Sequence, residues 1–354
     1  MDVSMHFLLS IHCMTFNHSN YIKETMDGFC MQQTNFPFVA IIVDDASTDG
    51  EQEVIKEYLK NHFDLTTQSS SVRERQTEDY IMTFARHKTN VNCFFAVFFL
   101  KYNHYSIKKA KDTYYKKLEE NAKYIAICEG DDYWILPSKL QQQVDYLESD
   151  SECNLVYTNF VQLVQRNNTF TKVTCRTSDF EDMIEENRVA TLTTCFRKES
   201  LLRYNSNRPL NKHWLMGDYP LWLYLFATGT PHFMNIETAV YRVLENSASH
   251  STDFGKVVAF LLSSYEIRWY YAKVFDRKYL LHDSQIRAMR EIINLSDVHD
   301  KNTKCDYFLF FRPHSISDFL LLIEALSTSY RITRKIYNFC KYRFSIVHKS
   351  LSFH

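Results

Sequence analysis

The 354-residue chain is poor in the residues that break regular structure, with only 6 glycines and 6 prolines. That scarcity excludes collagen-like and long low-complexity architectures. It has no Cys-x-x-Cys pair. Its nine cysteines lie at irregular spacing, which argues against a disulfide framework and a structural zinc site. Reduced cysteines in a cytoplasmic protein are the expectation, and Cys128 reads as a small buried hydrophobe. Neither sign of charge dominates, with 41 Lys and Arg against 42 Asp and Glu, so nothing marks a nucleic-acid binder. Long apolar runs are missing too. The longest, Cys93 to Leu100, is far short of the roughly 20 residues a spanning helix needs. The N-terminus lacks a basic n-region, since Lys23 is its first lysine or arginine, so no signal peptide is evident. The expected location is the cytoplasm, with contact at the inner face of the membrane left open.

What is present is apolar and patterned. Hydrophobic residues make up 45% of the chain and aromatics 15%, enough for a sizeable core. Phe7 to Ile11, Val39 to Val43, Cys93 to Leu100 and Tyr124 to Cys128 read as strands. Such short continuous apolar runs suit a parallel sheet buried on both faces. Tyr21 to Gln32, Glu51 to Lys60 and Ser106 to Asn121 read as helices between them. In Glu51 to Lys60, Val54, Ile55, Tyr58 and Leu59 form one apolar stripe, with Asp49 and Glu51 at its positive end. His62 to Thr77 reads as a loop or insertion. A helix follows Pro137, with Leu140, Val144 and Leu147 on one face, and Asn154 to Val164 opens a β-rich stretch. Asp218 to Phe226 reads as another helix. Alternating β and α units imply an α/β fold, a mixed and mostly parallel sheet flanked by helices. From about Thr252 the pattern turns helical, which divides the chain into residues 1–250 and a helical C-terminal region, 251–354.

Two of these strands end in acidic clusters. Val43 is followed by Asp44-Asp45-Ala46-Ser47-Thr48-Asp49-Gly50, and Cys128 by Glu129-Gly130-Asp131-Asp132-Tyr133-Trp134. Ligands of open α/β sheets bind beyond the carboxyl ends of the strands. Carboxylates there cannot bind phosphate directly. They can hold a divalent cation that does, or accept from ribose hydroxyls and a base N–H. The pattern points to a metal-assisted site for a nucleotide diphosphate. Each piece also has a plainer reading alone: a capped turn for the first cluster, a solvated loop for the second, an N-cap for Asp218.

Taken together and in order, the pieces resemble the family 2 glycosyltransferases with the GT-A fold. Phe7 to Asn17, ending in Thr15-Phe16-Asn17, resembles that family's first strand. Asp44-Asp45-Ala-Ser-Thr-Asp49 resembles its Asp-Asp-Gly-Ser-Thr-Asp. Glu129-Gly-Asp-Asp132 stands in the place of its Asp-x-Asp element, Gly217-Asp218 in that of its catalytic base, and Tyr241-Arg242-Val243 resembles the element that follows. The resemblance runs from about Phe7 to Ser249. It implies an inverting enzyme that moves a sugar from a UDP-sugar to a hydroxyl of a glycan or lipid-linked glycan. Phe16 would stack on uracil and Asp45 accept its N3–H, with Asn17, Asp44 and Lys108 or Lys109 also toward the nucleotide. Asp131 would face the ribose and the metal, Asp132 and Glu129 would hold Mn²⁺ or Mg²⁺, and Asp218 would be the general base. Leu244 stands where the family often has a histidine; His250 is a possible substitute. The stretch Asn103 to Asp112 matches the family only loosely.

No acid follows Glu324, while Arg331, Arg334, Lys335, Lys341, Arg343 and Lys349 do, with Ile332, Ile336 and Phe339 on one helical face. That suits a helix on an anionic membrane surface or one packed on the catalytic domain. Two other functions stay open: a sugar-nucleotide pyrophosphorylase, whose glycine-rich basic loop is not visible in Phe7 to Tyr21, and a catalytically silent nucleotide- or carbohydrate-binding protein.

Overall fold

The computed structural model describes residues 6–66, 73–209, 214–244, 253–280 and 291. The chain divides into two compact units. One comprises Met1–Lys212 with Leu221–His250, the other His213–Pro220 with Ser251–His354.

The first unit is built on one mixed sheet. Its parallel centre takes β1 (Leu9–Thr15), β2 (Phe38–Asp44), β5 (Cys93–Leu100) and β6 (Tyr124–Ile127). Every residue of β2 and β5 is buried, which explains why both read as unbroken apolar runs. Strands joined mostly by antiparallel pairing extend this centre on both sides: β3 (Arg73–Gln76), β4 (Tyr80–Arg86), β7 (Tyr133–Trp134), β8 (Leu155–Val164), β9 (Thr169–Val173) and β10 (Cys195–Arg197). β11 (His232–Val243) lies parallel to β8. Among the described residues the order is β3-β4-β5-β2-β1-β6-β10-β8-β11-β7, with β9 paired to β8.

Helices cover the sheet: α1 (Ile22–Cys30), α2 (Glu51–His62), α4 (Lys139–Ser149) and α6 (Lys198–Asn207), with short α3 (Asp112–Tyr115) and α5 (Phe180–Glu185). Leu140, Val144 and Leu147 are buried, as their spacing predicts. Phe29 of α1 meets Trp134 at 4.9 Å and Phe95 of β5 at 6.3 Å between ring centres.

Two stretches differ from expectation. The polar stretch His62 to Thr77 contains β3, whose Arg-Glu-Arg-Gln sequence carries no apolar alternation; it forms by pairing along β4. Ser106 to Asn121 does not form one helix. Only α3 is helical, and Lys108 takes a left-handed φ of 55°. Lys109 bonds Asp79 at 2.7 Å and Lys111 bonds Asp45 at 2.6 Å. These anchors bend the backbone where local propensity alone favours a helix.

In the second unit, α8 (Phe254–Val274) is capped by Asp253, which accepts from Lys256 N–H at 2.9 Å. Leu215 N–H donates to Ser263 at 2.8 Å, and Trp214 lies 5.4 Å from Tyr270. Helix α7 (Tyr219–Thr228) starts immediately after Asp218. Among the described residues no helix is long and apolar enough to cross a membrane. His250 and the basic tail from Ser327 lie outside the described residues.

Candidate active site

The ends of β1, β2 and β6 lie side by side. Thr15 pairs with Asp44, and His12 with Ile127. Asp45 N–H donates to Thr15 O at 3.0 Å, and Gly130 N–H to Met14 O at 3.1 Å. Both acidic turns therefore flank the loop after β1.

The first turn is held by its own side chains. Ala46 and Gly50 adopt left-handed φ values of 63° and 91°, which fold the chain back toward β1. Asn17 Oδ1 accepts from Thr48 N–H at 2.8 Å, and Asn17 N–H donates to Ser47 at 2.9 Å. Phe16 is left 42% exposed. Glu51, at the start of α2, is buried and accepts from the Thr15 hydroxyl, from Ser47 at 2.8 Å and from His18 N–H at 2.9 Å. Burial pushes its carboxyl up. Asp44 is buried as well. One oxygen accepts from Ser47 N–H at 3.2 Å and Gln52 at 2.5 Å; the other has no hydrogen-bond partner among the described residues. Burial raises this carboxyl too.

Asp45 faces the basic loop. Its carboxylate accepts from His104 N–H at 2.7 Å, Tyr105 N–H at 3.0 Å and Lys111 at 2.6 Å. A carboxylate offers about four acceptor positions, so one remains. Lys111, which sequence reasoning passed over, thus takes the ionic contact. Lys108 is exposed at a turn, with its backbone in the left-handed region. Lys109 is drawn to Asp79 and Tyr102, each at 2.7 Å.

The second turn packs tightly on the first loop. A Cβ on Gly130 would stand 2.0 Å from Thr15 Oγ1, so glycine is required there for close approach. Thr25 donates to Asp132 O at 2.6 Å and lies 3.0 Å from Gly130 O. Asp132 is 4% exposed, and its Oδ1 accepts from Arg242 N–H at 2.8 Å. Burial, then the charge of Asp131, push its carboxyl well above the usual range. The half-buried Asp131 turns its carboxylate toward His18, with Oδ2 3.9 Å from Nε2. Glu129 is exposed.

Arg242 fastens this turn to β11. Its guanidinium lies between the rings of Tyr21 and Tyr133, at 5.0 and 4.8 Å. It donates to Asp131 O at 2.6 Å and Gln165 at 2.9 Å, and pairs with Glu24. Loss of this fork would free the backbone that presents both aspartates.

Residues 10–76, which hold β1, the first acidic turn and β3, match the sequence model of Glycosyl transferase family 2. That match covers under a fifth of the chain. The chain is 24% identical over 250 residues to the putative teichuronic acid biosynthesis glycosyltransferase TuaG of Bacillus subtilis. That match covers 68% of this chain and 81% of TuaG. Uncharacterized proteins of Mycobacterium tuberculosis and Mycobacterium bovis are 32% identical over 149 residues, 42% of this chain. The chain spans about a third of the length of those mycobacterial relatives, 34%. Among solved structures, S. aureus TarS 1–349 in complex with UDP-GlcNAc aligns with a TM-score of 0.46 and 13% identity, over 90% of this chain and 79% of that one. The mannosyltransferase PcManGT from Pyrobaculum calidifontis, in complex with GDP-Man and Mn²⁺, aligns with a TM-score of 0.48 and 12% identity, over 98% and 88%.

Among the described residues, no three His, Cys, Asp or Glu side chains gather into a metal-holding group. A Mg²⁺ or Mn²⁺ ion that also binds substrate phosphates needs only one or two carboxylates, and keeps water for the rest. Asp131 and Asp132 fit that requirement. Asp218 falls in the second unit, directly before α7, where its charge favours the helix start. An open concavity of about 820 Å³, lined by Cys30, Gln32, Thr34, Asn90 and Gln141, lies at the other ends of β2 and β5, away from both acidic turns.

Proposed function

We propose that the protein transfers a sugar from a UDP-sugar to a hydroxyl of a glycan or lipid-linked glycan. The convergence of two acidic turns on the loop after β1 carries this reading, because it concentrates carboxylates where a parallel sheet binds its ligands. The likeness to TuaG supports a cell-surface polysaccharide as the product class.

In this reading Phe16 stacks on the base, and the remaining acceptor position of Asp45 takes a base N–H. Asn17 and Asp44 hold the loop and turn that frame the nucleotide. Asp131 and Asp132 hold a divalent cation, with Glu129 adding negative charge nearby. The cation neutralises charge on the departing diphosphate. Lys111, fixed on Asp45, adds a positive charge that Lys108 was expected to supply. Asp218 takes the proton of the acceptor hydroxyl as that oxygen attacks the anomeric carbon. One displacement with one base inverts that carbon, so an α-linked donor gives a β-linked product. The catalytic part is taken as residues 1–250. The helical region 251–354, with its basic tail, is taken to bring the enzyme to the inner membrane surface.

The test is a panel of nucleotide sugars incubated with the protein and Mn²⁺, with release of free nucleotide followed by chromatography. Slow release from one UDP-sugar, abolished by chelator, is expected. Tight binding without any release, with or without candidate acceptors, would favour a silent binding protein instead.

A further inference from the structure

Asp218 sits on residues 214–218, a strip that forms neither helix nor strand. Leu215 and Gly217 are exposed, and a Cβ on Gly217 would meet nothing within 4 Å. The strip is therefore unpacked at its glycine, the residue whose backbone is freest. A proton acceptor on such a strip must be held from elsewhere, since a misplacement of about 1 Å can cost roughly 10²-fold in rate.

Helix α8 holds the strip on both sides of Asp218. On the N-terminal side, the Trp214 ring centre lies 5.4 Å from that of Tyr270, edge to face, and 6.1 Å from that of Tyr271. Beside it, Leu215 N–H donates to the Ser263 hydroxyl at 2.8 Å. Ser263 and Tyr271 are buried, so these partners are themselves fixed by packing. On the C-terminal side, Tyr219 is fully buried. The Arg268 guanidinium lies 5.7 Å over its ring and 4.8 Å over that of Tyr265. Ser263, Arg268 and Tyr270 fall within about two turns of one helix. A single rigid element thus grips the chain before and after the carboxylate.

We propose that α8 is the platform of the general base, with Trp214, Ser263 and Arg268 as positioning residues for Asp218. This rests on the reading of Asp218 as the base. The region after residue 250 then contributes to the rate, and not to location alone. Each of the three residues acts through the backbone that carries the carboxylate. The residues assigned to the donor and the cation all belong to the other unit. Loosening the strip should therefore slow transfer and leave donor binding as it is.

The test uses the full chain. Steady-state release of UDP from the UDP-sugar that the protein cleaves is measured beside calorimetric titration of UDP with Mn²⁺. Trp214→Ala should lower kcat by roughly 10–100-fold, with donor KM and UDP affinity unchanged. Trp214→Phe keeps an aromatic ring against Tyr270 and should recover most of the rate. Ser263→Ala should lower kcat by about fivefold, the size of one hydrogen bond, and raise hydrogen exchange at the Leu215 amide. It changes little volume, so it decides even if Trp214→Ala folds poorly. Wild-type kcat in Ser263→Ala, beside a slow Asp218→Asn, would overturn the platform and leave the base standing. A loss of UDP affinity matching the loss of rate would also overturn it, because the contacts would then serve the fold as a whole. No release from any UDP-sugar, or a wild-type rate in Asp218→Asn, would remove the base itself, and its platform with it.

Discussion

At the residue scale, two side chains make separable demands on the account. Asp218→Asn keeps the size of the side chain and most of its capping ability, so folding should survive. It removes the proton acceptor, so transfer should fall by roughly 10²–10⁴-fold while donor affinity changes little. Initial rates measured beside donor affinity check this. A near wild-type rate would reduce Asp218 to a helix cap, and lost donor binding would move it into the donor site. Lys139 makes a different demand. It is fully buried in α4, with its ammonium 4.3 Å over the Trp134 ring and 2.7 Å from Gln143 Oε1. Burial lowers its pKa from 10.5 to about 8. The folded state therefore carries the whole cost of the buried charge below pH 8, and sheds it between pH 8 and 10.5, where the unfolded chain still binds the proton. A shift of that size corresponds to about 3 kcal/mol. Relative to Lys139→Met, the wild type should gain about that much stability across the window. Urea unfolding of both proteins from pH 7 to 10.5 measures the difference. A constant difference would show that Lys139 is not buried as a charge.

At the element scale, the decisive piece is the segment 101–114. Two acids from elsewhere clasp it. Asp45 takes Lys111 and the N–H groups of His104 and Tyr105; Asp79 takes Lys109, Tyr102 and Tyr114. Lys111→Met should leave the buried Asp45 short of a partner, at a cost of roughly 1–3 kcal/mol. It should also raise hydrogen exchange at the His104 and Tyr105 amides. Unchanged protection of those amides would show that the loop holds without its ionic anchor. The same segment marks the limit of what the sequence makes legible. β1, β2, β5 and β6 are readable because a strand buried on both faces must be apolar throughout, and the acidic turns because turn residues follow those runs directly. The bend at 103–111 is not readable, since it depends on Lys109 meeting Asp79 and Lys111 meeting Asp45 across the fold. β3 is hidden for a related reason: its pairing partner supplies the structure that Arg73-Glu-Arg-Gln76 does not encode. His18 could have been noticed beside Phe16 and Asn17. Its closeness to Asp131 depends on Gly130, whose missing Cβ admits Thr15.

At the scale of the whole molecule, the chain joins an α/β unit to a second unit that contains α8 and Asp218. The family match covers residues 10–76, whereas the likeness to TuaG runs over 250 residues, so the shared sequence extends well past the first acidic turn. The tail bears basic residues without an acid after Glu324. Each basic residue near an anionic surface contributes about 1 kcal/mol at low salt. Replacing Arg331, Arg334, Lys335 and Lys341 by glutamine should abolish co-sedimentation with phosphatidylserine vesicles at low salt, with the fold unchanged. Equal sedimentation of both proteins would mean that the tail packs on the protein instead.

The central claim is that Asp131 and Asp132 form a cation-dependent site for a nucleoside diphosphate. Calorimetric titration of UDP tests it most directly, in Mn²⁺, in EDTA and with Asp132→Asn. Binding in Mn²⁺ alone, lost in EDTA and lost in a folded Asp132→Asn, is the expected result. Equal UDP affinity in EDTA, or in Asp132→Asn with Mn²⁺ present, would contradict it.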